Sequence, residues 1–282
     1  MSASTDRGVV PSPRLAPGWR PRLVATDLDG TLIRSDGTVS ARTRSVLRQV
    51  RDAGIEVVGV TGRGPRLRTL SVAAVEVARY LVCAQGGYVL DLETGGVLRA
   101  TRLAGPVAQR AVALIEERVG PVRVTVEANE VDGGPLHGDP DFDWPFPDPW
   151  EPADRATMFS GELLKVFVAA PSLDVEEFFA VARAVVPPSV GEVTYAGLGF
   201  LEICPTGVTK AAGLAVVCDL VGVPAAEVLA FGDMPNDVTM LAWAGRGVAV
   251  ANAHPELKAV ADEVTRSNDD DGVANYLTAF LG

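Results

Sequence analysis

Short apolar runs alternate with helically patterned segments through the first third of the chain, and that alternation predicts a parallel sheet. Leu23-Val24-Ala25, Ile55 to Val60 and Tyr80 to Cys83 are apolar stretches of strand length, the pattern of strands buried on both faces. Between them, Ser40 to Ala53 sets Val46, Leu47 and Val50 at helical spacing among arginines, with Gly54 as a stop, and Arg66 to Ala78 reads as a second helix. Strand, helix, strand, helix, strand implies right-handed crossovers in an α/β fold. The pattern resumes late in the chain. Val208 to Val221 is helical, Val228 to Phe231 a strand, Asp237 to Ala244 a helix, Gly247 to Val250 a strand and Gly272 to Phe280 a closing helix.

Residues 88–200 follow another rhythm. Val89-Leu90-Asp91-Leu92, Val122 to Val126, Leu163 to Val168 and Leu201 to Ile203 are strand-like, while Val107 to Val119 and Val175 to Val186 are helical. Such a mixture predicts an α+β insertion with a mostly antiparallel sheet. The expected organisation is a tail at 1–19, a core made of 20–87 and 201–282, and the insertion at 88–200. Asp132 to Pro152 is rich in Pro, Gly and Asp and contains Phe142, Trp144, Phe146 and Trp150. It either overhangs a site or packs its rings on the sheet of the insertion.

With 282 residues, 48% of them apolar, the chain can bury a sizeable core. A net charge of −11 argues against nucleic acid as a partner, since phosphate backbones are bound through clustered Lys and Arg. No apolar stretch reaches membrane-spanning length; even Ala211 to Val223 is broken by Asp219. The first twenty residues carry Arg7, Arg14 and Arg20 with three prolines and no apolar segment, so they read as a disordered tail and not a signal peptide, and the cytoplasm is the expected location. Cys83, Cys204 and Cys218 show no C-x-x-C spacing and are expected in the core. His137 and His254 have no triad context and read as surface residues.

The chemistry sits at the ends of the apolar runs. Asp27-Leu28-Asp29-Gly30-Thr31 follows the first, with two carboxylates on one side of the chain if the backbone stays extended, a natural place for a hard cation such as Mg²⁺. Taken alone, Asp-Gly there is equally a turn. Thr61-Gly62-Arg63 ends the second run, Thr209-Lys210 opens a late helix, and Gly232-Asp233-Met234-Pro235-Asn236-Asp237 ends the strand at Val228. Each has a bland alternative: Thr61 capping a turn, Lys210 a solvated surface residue, Arg63 a helix-start ion pair.

These four motifs, in this order, resemble those of the haloacid dehalogenase superfamily of phosphotransferases, over roughly residues 20–87 and 200–282, and the position and size of the insertion resemble the large cap of its Cof-like branch (type IIB). The resemblance implies a Rossmann-like doubly wound core, Mg²⁺ as cofactor, and a small phosphorylated metabolite, a sugar or cofactor phosphate, as substrate of a monomeric or homodimeric phosphatase. It implies Asp27 as a nucleophile that becomes an aspartyl phosphate and Asp29 as general acid and base. Metal ligands would be Asp27, Asp29 through its backbone carbonyl, and Asp233, with Asp237 either binding metal through water or orienting Lys210. Leu28, Thr61, Gly62, Lys210 and Asn236 would contact phosphate. Gln85-Gly86-Gly87 stands where relatives of this type carry Asn-Gly, so no substrate contact is assigned to Gln85. The competing functions are a phosphomutase on the same core and a phosphometabolite-binding protein without turnover, the latter disfavoured because a binding module needs no general acid.

Overall fold

The structure, a computed structural model, describes residues 18–128 and 132–281; the expected tail lies, apart from its last two residues, outside the described residues. The first part of the chain supplies β1 (Leu23–Thr26), α1 (Ala41–Asp52), β2 (Glu56–Val60), α2 (Arg68–Ala74), β3 (Tyr80–Cys83), β4 (Tyr88–Asp91) and β5 (Val97–Ala100). All four residues of β1 are buried, as the unbroken apolar run requires. Ser40 caps α1 by accepting from the Thr43 amide, and Val46, Leu47 and Val50 form its buried face. The helix expected over Arg66 to Ala78 is shorter: a 3-10 turn at Pro65–Leu67 leads into α2, which stops where Val75 leaves the helical region and packs against Gly59.

The middle of the chain forms β6 (Leu103–Ala104), α3 (Gly105–Val119), β7 (Arg123–Glu127), β8 (Leu136–Gly138), β9 (Trp150–Pro152), α4 (Arg155–Met158), β10 (Glu162–Leu163), β11 (Lys165–Ala169), α5 (Val175–Val185), β12 (Glu192–Thr194) and β13 (Leu201–Cys204). The last part gives α6 (Lys210–Val221), β14 (Val228–Gly232), α7 (Val238–Trp243), β15 (Arg246–Ala249), α8 (Pro255–Val260), β16 (Glu263–Val264) and α9 (Gly272–Leu277).

Two sheets organise these elements. The larger runs β16-β15-β14-β1-β2-β3-β4-β5, parallel from β16 to β3 and antiparallel at β3-β4-β5. From β1 the chain winds outward one way through β2 and β3 and later the other way through β14, β15 and β16. The crevice between β1 and β14 is therefore the point where strand order reverses, the expected place for a ligand. The smaller sheet runs β12-β13-β11-β7-β8-β9 and is antiparallel except at β8-β9.

Sheet membership differs from the sequence reading at both edges of the insertion. β4 and β5, expected with the insertion, extend the larger sheet beyond β3, whereas β13 pairs with β11 and β12, in line with its reading among the strands of the insertion and against the boundary drawn at 201. An apolar strand does not declare its partner. Tyr88–Asp91 is buried throughout and would suit either sheet.

Each sheet has its own hydrophobic core, and a separate aromatic cluster of Phe142, Phe167 and Phe200, with Trp144 packed on it, lies against the smaller sheet. The three cysteines are buried and free. No helix among the described residues is long and apolar enough to cross a membrane.

Candidate active site

The loop after β1 turns at once. Asp27 is fixed by its amide bonding to the Phe231 carbonyl across to β14, and the Leu28 carbonyl then accepts from the Leu32 and Ile33 amides at 3.0 and 2.8 Å. Gly30 adopts a left-handed φ of 79°, and a Cβ there would lie 2.2 Å from Asp233 Oδ2, so only glycine lets this turn approach the β14 end. The extended path expected through Leu28 is thereby broken, and the two aspartates part. Asp27 is buried at the sheet switch point, while the side chain of Asp29 is 56% exposed. Arg63 grips the Asp29 carboxylate with both arms, Nε to Oδ2 at 2.8 Å and the terminal nitrogen to Oδ1 at 2.6 Å. Arg63 thus forms an ion pair, as expected, with Asp29 of the loop after β1 as its partner.

The clustered carboxylates are Asp27, Asp233 and Asp237, which offer one oxygen each within 4.8 Å of one another; the Asp29 carboxylate is not among them. Lys210, first residue of α6 and fully buried, bridges two of the three, donating to Asp27 Oδ1 at 2.5 Å and Asp237 Oδ1 at 2.7 Å. It is no solvated surface residue. The other oxygen of Asp237 accepts from the Asp233 and Met234 amides, both at 3.1 Å, so that carboxylate is fully engaged in holding Lys210 and the loop after β14. Asp233 Oδ1 accepts from the Thr31 hydroxyl at 2.9 Å.

Burial sets the electrostatics. It pushes the carboxyl of Asp27 well above the usual range despite the opposing Lys210 ammonium, and it pushes Asp233 up to about 7, with the Asp237 charge adding to the effect. Burial alone would depress Lys210, but Asp237 and Asp27 outweigh it and raise the ammonium above its ordinary value. Three carboxylates against one ammonium leave two negative charges uncompensated in a buried, all-oxygen donor set. That excess fits a hard dication such as Mg²⁺, with Asp27 and Asp233 as the carboxylates that retain free oxygens.

Of the expected phosphate contacts, Thr61 is fully buried and its Oγ1 accepts from the Arg63 amide at 3.0 Å, the turn-capping arrangement, which leaves its hydroxyl hydrogen to donate. Gly62 lines the cleft beside Asp27, Asp29 and Asn236. The Leu28 side chain is fully buried, so any contact from this residue falls to its main chain. Asn236 donates to Gln85 Oε1 at 3.2 Å, and its buried Oδ1 has no hydrogen-bond partner among the described residues.

The cleft, about 410 Å³, is closed by residues the motifs did not indicate. Glu127, Lys165 and Glu202 project from β7, β11 and β13, and Trp144, Phe146 and Asp148 come from the aromatic loop. That loop therefore does both things considered for it: its rings pack on the smaller sheet and it overhangs the cleft. Gln85 joins the halves, donating to Glu202 at 2.5 Å while accepting from Asn236, from a left-handed backbone at φ 58°. Lys165 likewise spans the cleft, from Glu202 to the Gly62 carbonyl. One signal of these residues was present in the sequence. Arg-Val-Thr-Val-Glu, Lys-Val-Phe-Val and Leu-Glu-Ile-Cys each set a charge at an alternate position of an apolar strand, which puts Glu127, Lys165 and Glu202 on one face. His137 and His254 pair with Glu151 and Glu176 instead of lining the cleft.

A family model for haloacid dehalogenase-like hydrolases matches residues 24–277. The chain is 29% identical over 271 residues to the 5-amino-6-(5-phospho-D-ribitylamino)uracil phosphatase YitU of Bacillus subtilis, a match covering 93% of this chain and 98% of that protein. Among solved structures, BT1666 of Bacteroides thetaiotaomicron, described among phosphatases of the haloalkanoate superfamily, superposes with a TM-score of 0.76 at 27% identity, covering 95% of this chain and 99% of that one. The subclass IIB sugar phosphatase BT4131 superposes with a TM-score of 0.77 at 20% identity over 92% of this chain and 98% of its own, a likeness of fold.

Proposed function

The chain belongs to the haloacid dehalogenase-like hydrolases, and from that premise we propose that it is a Mg²⁺-dependent phosphatase that cleaves a small phosphorylated metabolite through an aspartyl phosphate on Asp27. The observation that carries this reading is the buried group of Asp27, Asp233, Asp237 and Lys210 at the crevice between β1 and β14.

An oxygen of Asp27 attacks phosphorus while the other is held by Lys210. The bond from phosphorus to the ester oxygen breaks, and Asp29 supplies the proton that oxygen needs to leave. In the second step Asp29 takes a proton from water, the water oxygen bonds to phosphorus, and the bond to Asp27 breaks, releasing inorganic phosphate. Asp29 can do this because its side chain reaches both solvent and the cleft, beside the nearly buried Asp27. Lys210, the Thr61 hydroxyl and the Gly62 amide meet the charge on the transferring group, and Asn236 contacts it or fixes its neighbours. Both oxygens of Asp237 already accept hydrogen bonds, and it orients Lys210 and the loop after β14. Asp27 and Asp233 would hold Mg²⁺, which when bound would compensate the negative charge of the transferring phosphoryl group.

The insertion acts as a cap that selects the rest of the substrate, a sugar phosphate or a cofactor phosphate; the uracil-bearing ester in the name of the Bacillus relative has both a polyol chain and a ring. Release of inorganic phosphate from an aryl phosphate should need Mg²⁺ and cease in EDTA. Full turnover by thoroughly chelated protein would refute the proposal, as would phosphate transfer between substrate positions without net release.

A further inference from the structure

The face of the smaller sheet turned toward the core holds a buried charged group that the phosphoryl chemistry does not use. Glu127, Lys165 and Glu202 come from three adjoining strands, and Arg66 and Asp148 complete the group from the core and the aromatic loop. The pairing is uneven. Glu202 accepts from Lys165 at 2.8 Å and from Gln85 at 2.5 Å, and Asp148 is bonded to Arg66. Glu127, 1% exposed, has its cations farther off, Arg66 Nε at 3.4 Å and Lys165 Nζ at 3.9 Å. Neither of its oxygens accepts a hydrogen bond among the described residues, and Arg66 Nε, facing Oε1 across that 3.4 Å gap, likewise has no acceptor among them. Two cations face three carboxylates, and Glu127 is the carboxylate held most loosely.

The surroundings of Glu127 are built for it. A Cβ on Gly64 would lie 1.7 Å from Glu127 Oε1, so the glycine gives the carboxylate its space. Burial raises the proton affinity of the group, with Lys165 and Arg66 opposing. In the same cleft stands Trp144, stacked on Phe200 with centroids 5.4 Å apart and planes at 22°, with Phe146 and Phe167 at its edges and the Arg66 guanidinium over its ring at 5.7 Å from the centroid. Its indole N–H is buried with no acceptor among the described residues. A buried acceptor and a buried donor, both unmatched beside an aromatic wall, call for a ligand that matches them.

We propose that Glu127 and Trp144 form the subsite for the non-phosphate half of the substrate, and that this half is a flat, uncharged ring bearing N–H donors and a carbonyl, as in an aminopyrimidine. The proposal rests on the phosphatase reading for the position of the phosphate. Glu127 takes the ring N–H groups, the indole N–H meets the carbonyl, and the aromatic wall covers the ring face. The surplus negative charge turns away a second phosphate or a carboxylate at that end.

The test uses Asp27→Asn protein with Mg²⁺, in which turnover is blocked, and calorimetric titration with two esters sharing one tail. These are 5-amino-6-(5-phospho-D-ribitylamino)uracil and ribitol 5-phosphate. The ring-bearing ester should bind about tenfold or more tightly, because a site that hydrogen-bonds N–H groups penalises a ligand lacking them. Adding Glu127→Gln, or separately Trp144→Leu, should collapse that ratio toward one. Equal affinities in the parent, undetectable binding of both esters, or equal weakening of both by Glu127→Gln would each overturn the proposal. Should Glu127→Gln fail to fold, the parent ratio and the Trp144→Leu protein decide. Aryl phosphate turnover by the unmutated protein is scored separately: its absence would sink the phosphatase reading, while the two-ester ratio still reads the subsite.

Discussion

Lys210→Met is the most informative single perturbation, because Lys210 stands between Asp27 and Asp237 with no solvent to replace it. The change leaves a well-sized apolar chain but removes the ammonium from a cluster that already carries surplus negative charge. Breaking a buried ion pair from one side costs about 3–5 kcal/mol, since the orphaned charge stays buried. At about 2–4 °C per kcal/mol for domains of this size, the melting temperature in EDTA should fall by about 6–20 °C. Mg²⁺ should recover part of that loss by compensating Asp27 and Asp233. The double variant Lys210→Met/Asp237→Asn should recover more, because it removes one of the stranded charges. Activity should behave differently: loss of one charged contact to the transferring group costs about 10²–10³ in turnover, and the double variant should not restore it. Differential scanning calorimetry with and without Mg²⁺, beside aryl phosphate hydrolysis, separates the two effects. A melting temperature within about 3 °C of the parent in EDTA, or activity regained in the double variant, would refute the assignment of Lys210 as both structural counter-ion and phosphoryl ligand.

Three further outcomes follow from the same geometry. Asp27→Asn should abolish turnover for every leaving group, whereas Asp29→Asn should lose about 10²–10⁴ with alkyl esters and less with a good aryl leaving group, accumulating phosphate on Asp27 detectable by mass spectrometry; identical losses in both variants would point to a shared metal-binding role. Arg63→Lys, which cannot grip Asp29 with two parallel bonds, should cost about tenfold with alkyl esters and less with aryl ones, and a uniform loss would mean that Arg63 serves binding alone. Because Asp233 is pushed up to about 7, the native protein keeps a proton that the unfolded chain releases near its ordinary value of 3.8. The metal-free protein should therefore lose stability as pH rises between those values, and apparent Mg²⁺ affinity should climb between about pH 6 and 8 as that proton ceases to compete; a Mg²⁺-induced thermal shift that does not change with pH would contradict this.

The sequence by itself determined the parallel alternation of β1, β2 and β3, the return at β14 and β15, and the position of Asp27, Thr61 and Asp233 at strand ends, because burial on both faces leaves an unbroken apolar run and the polar residue after it has only the strand's carboxyl end to occupy. It also put Lys210 in the first turn of a helix, drawn from Val208, where the structure starts α6 at Lys210 with Thr209 as its cap. What it left open depends on partners distant along the chain. That the Asp29 carboxylate stands outside the acidic cluster and pairs with Arg63 follows from the turn at Gly30, which closes against Asp233. Whether Asp237 has a free oxygen depends on two amides and one ammonium brought to it by β14 and α6. Sheet membership of β4, β5 and β13 follows from pairing, to which an apolar strand is indifferent. The charges at Glu127, Lys165 and Glu202 were visible at alternate strand positions, but only the register of β7, β11 and β13 brought them side by side, and only the docking of that face on the core left Glu127 short of a donor.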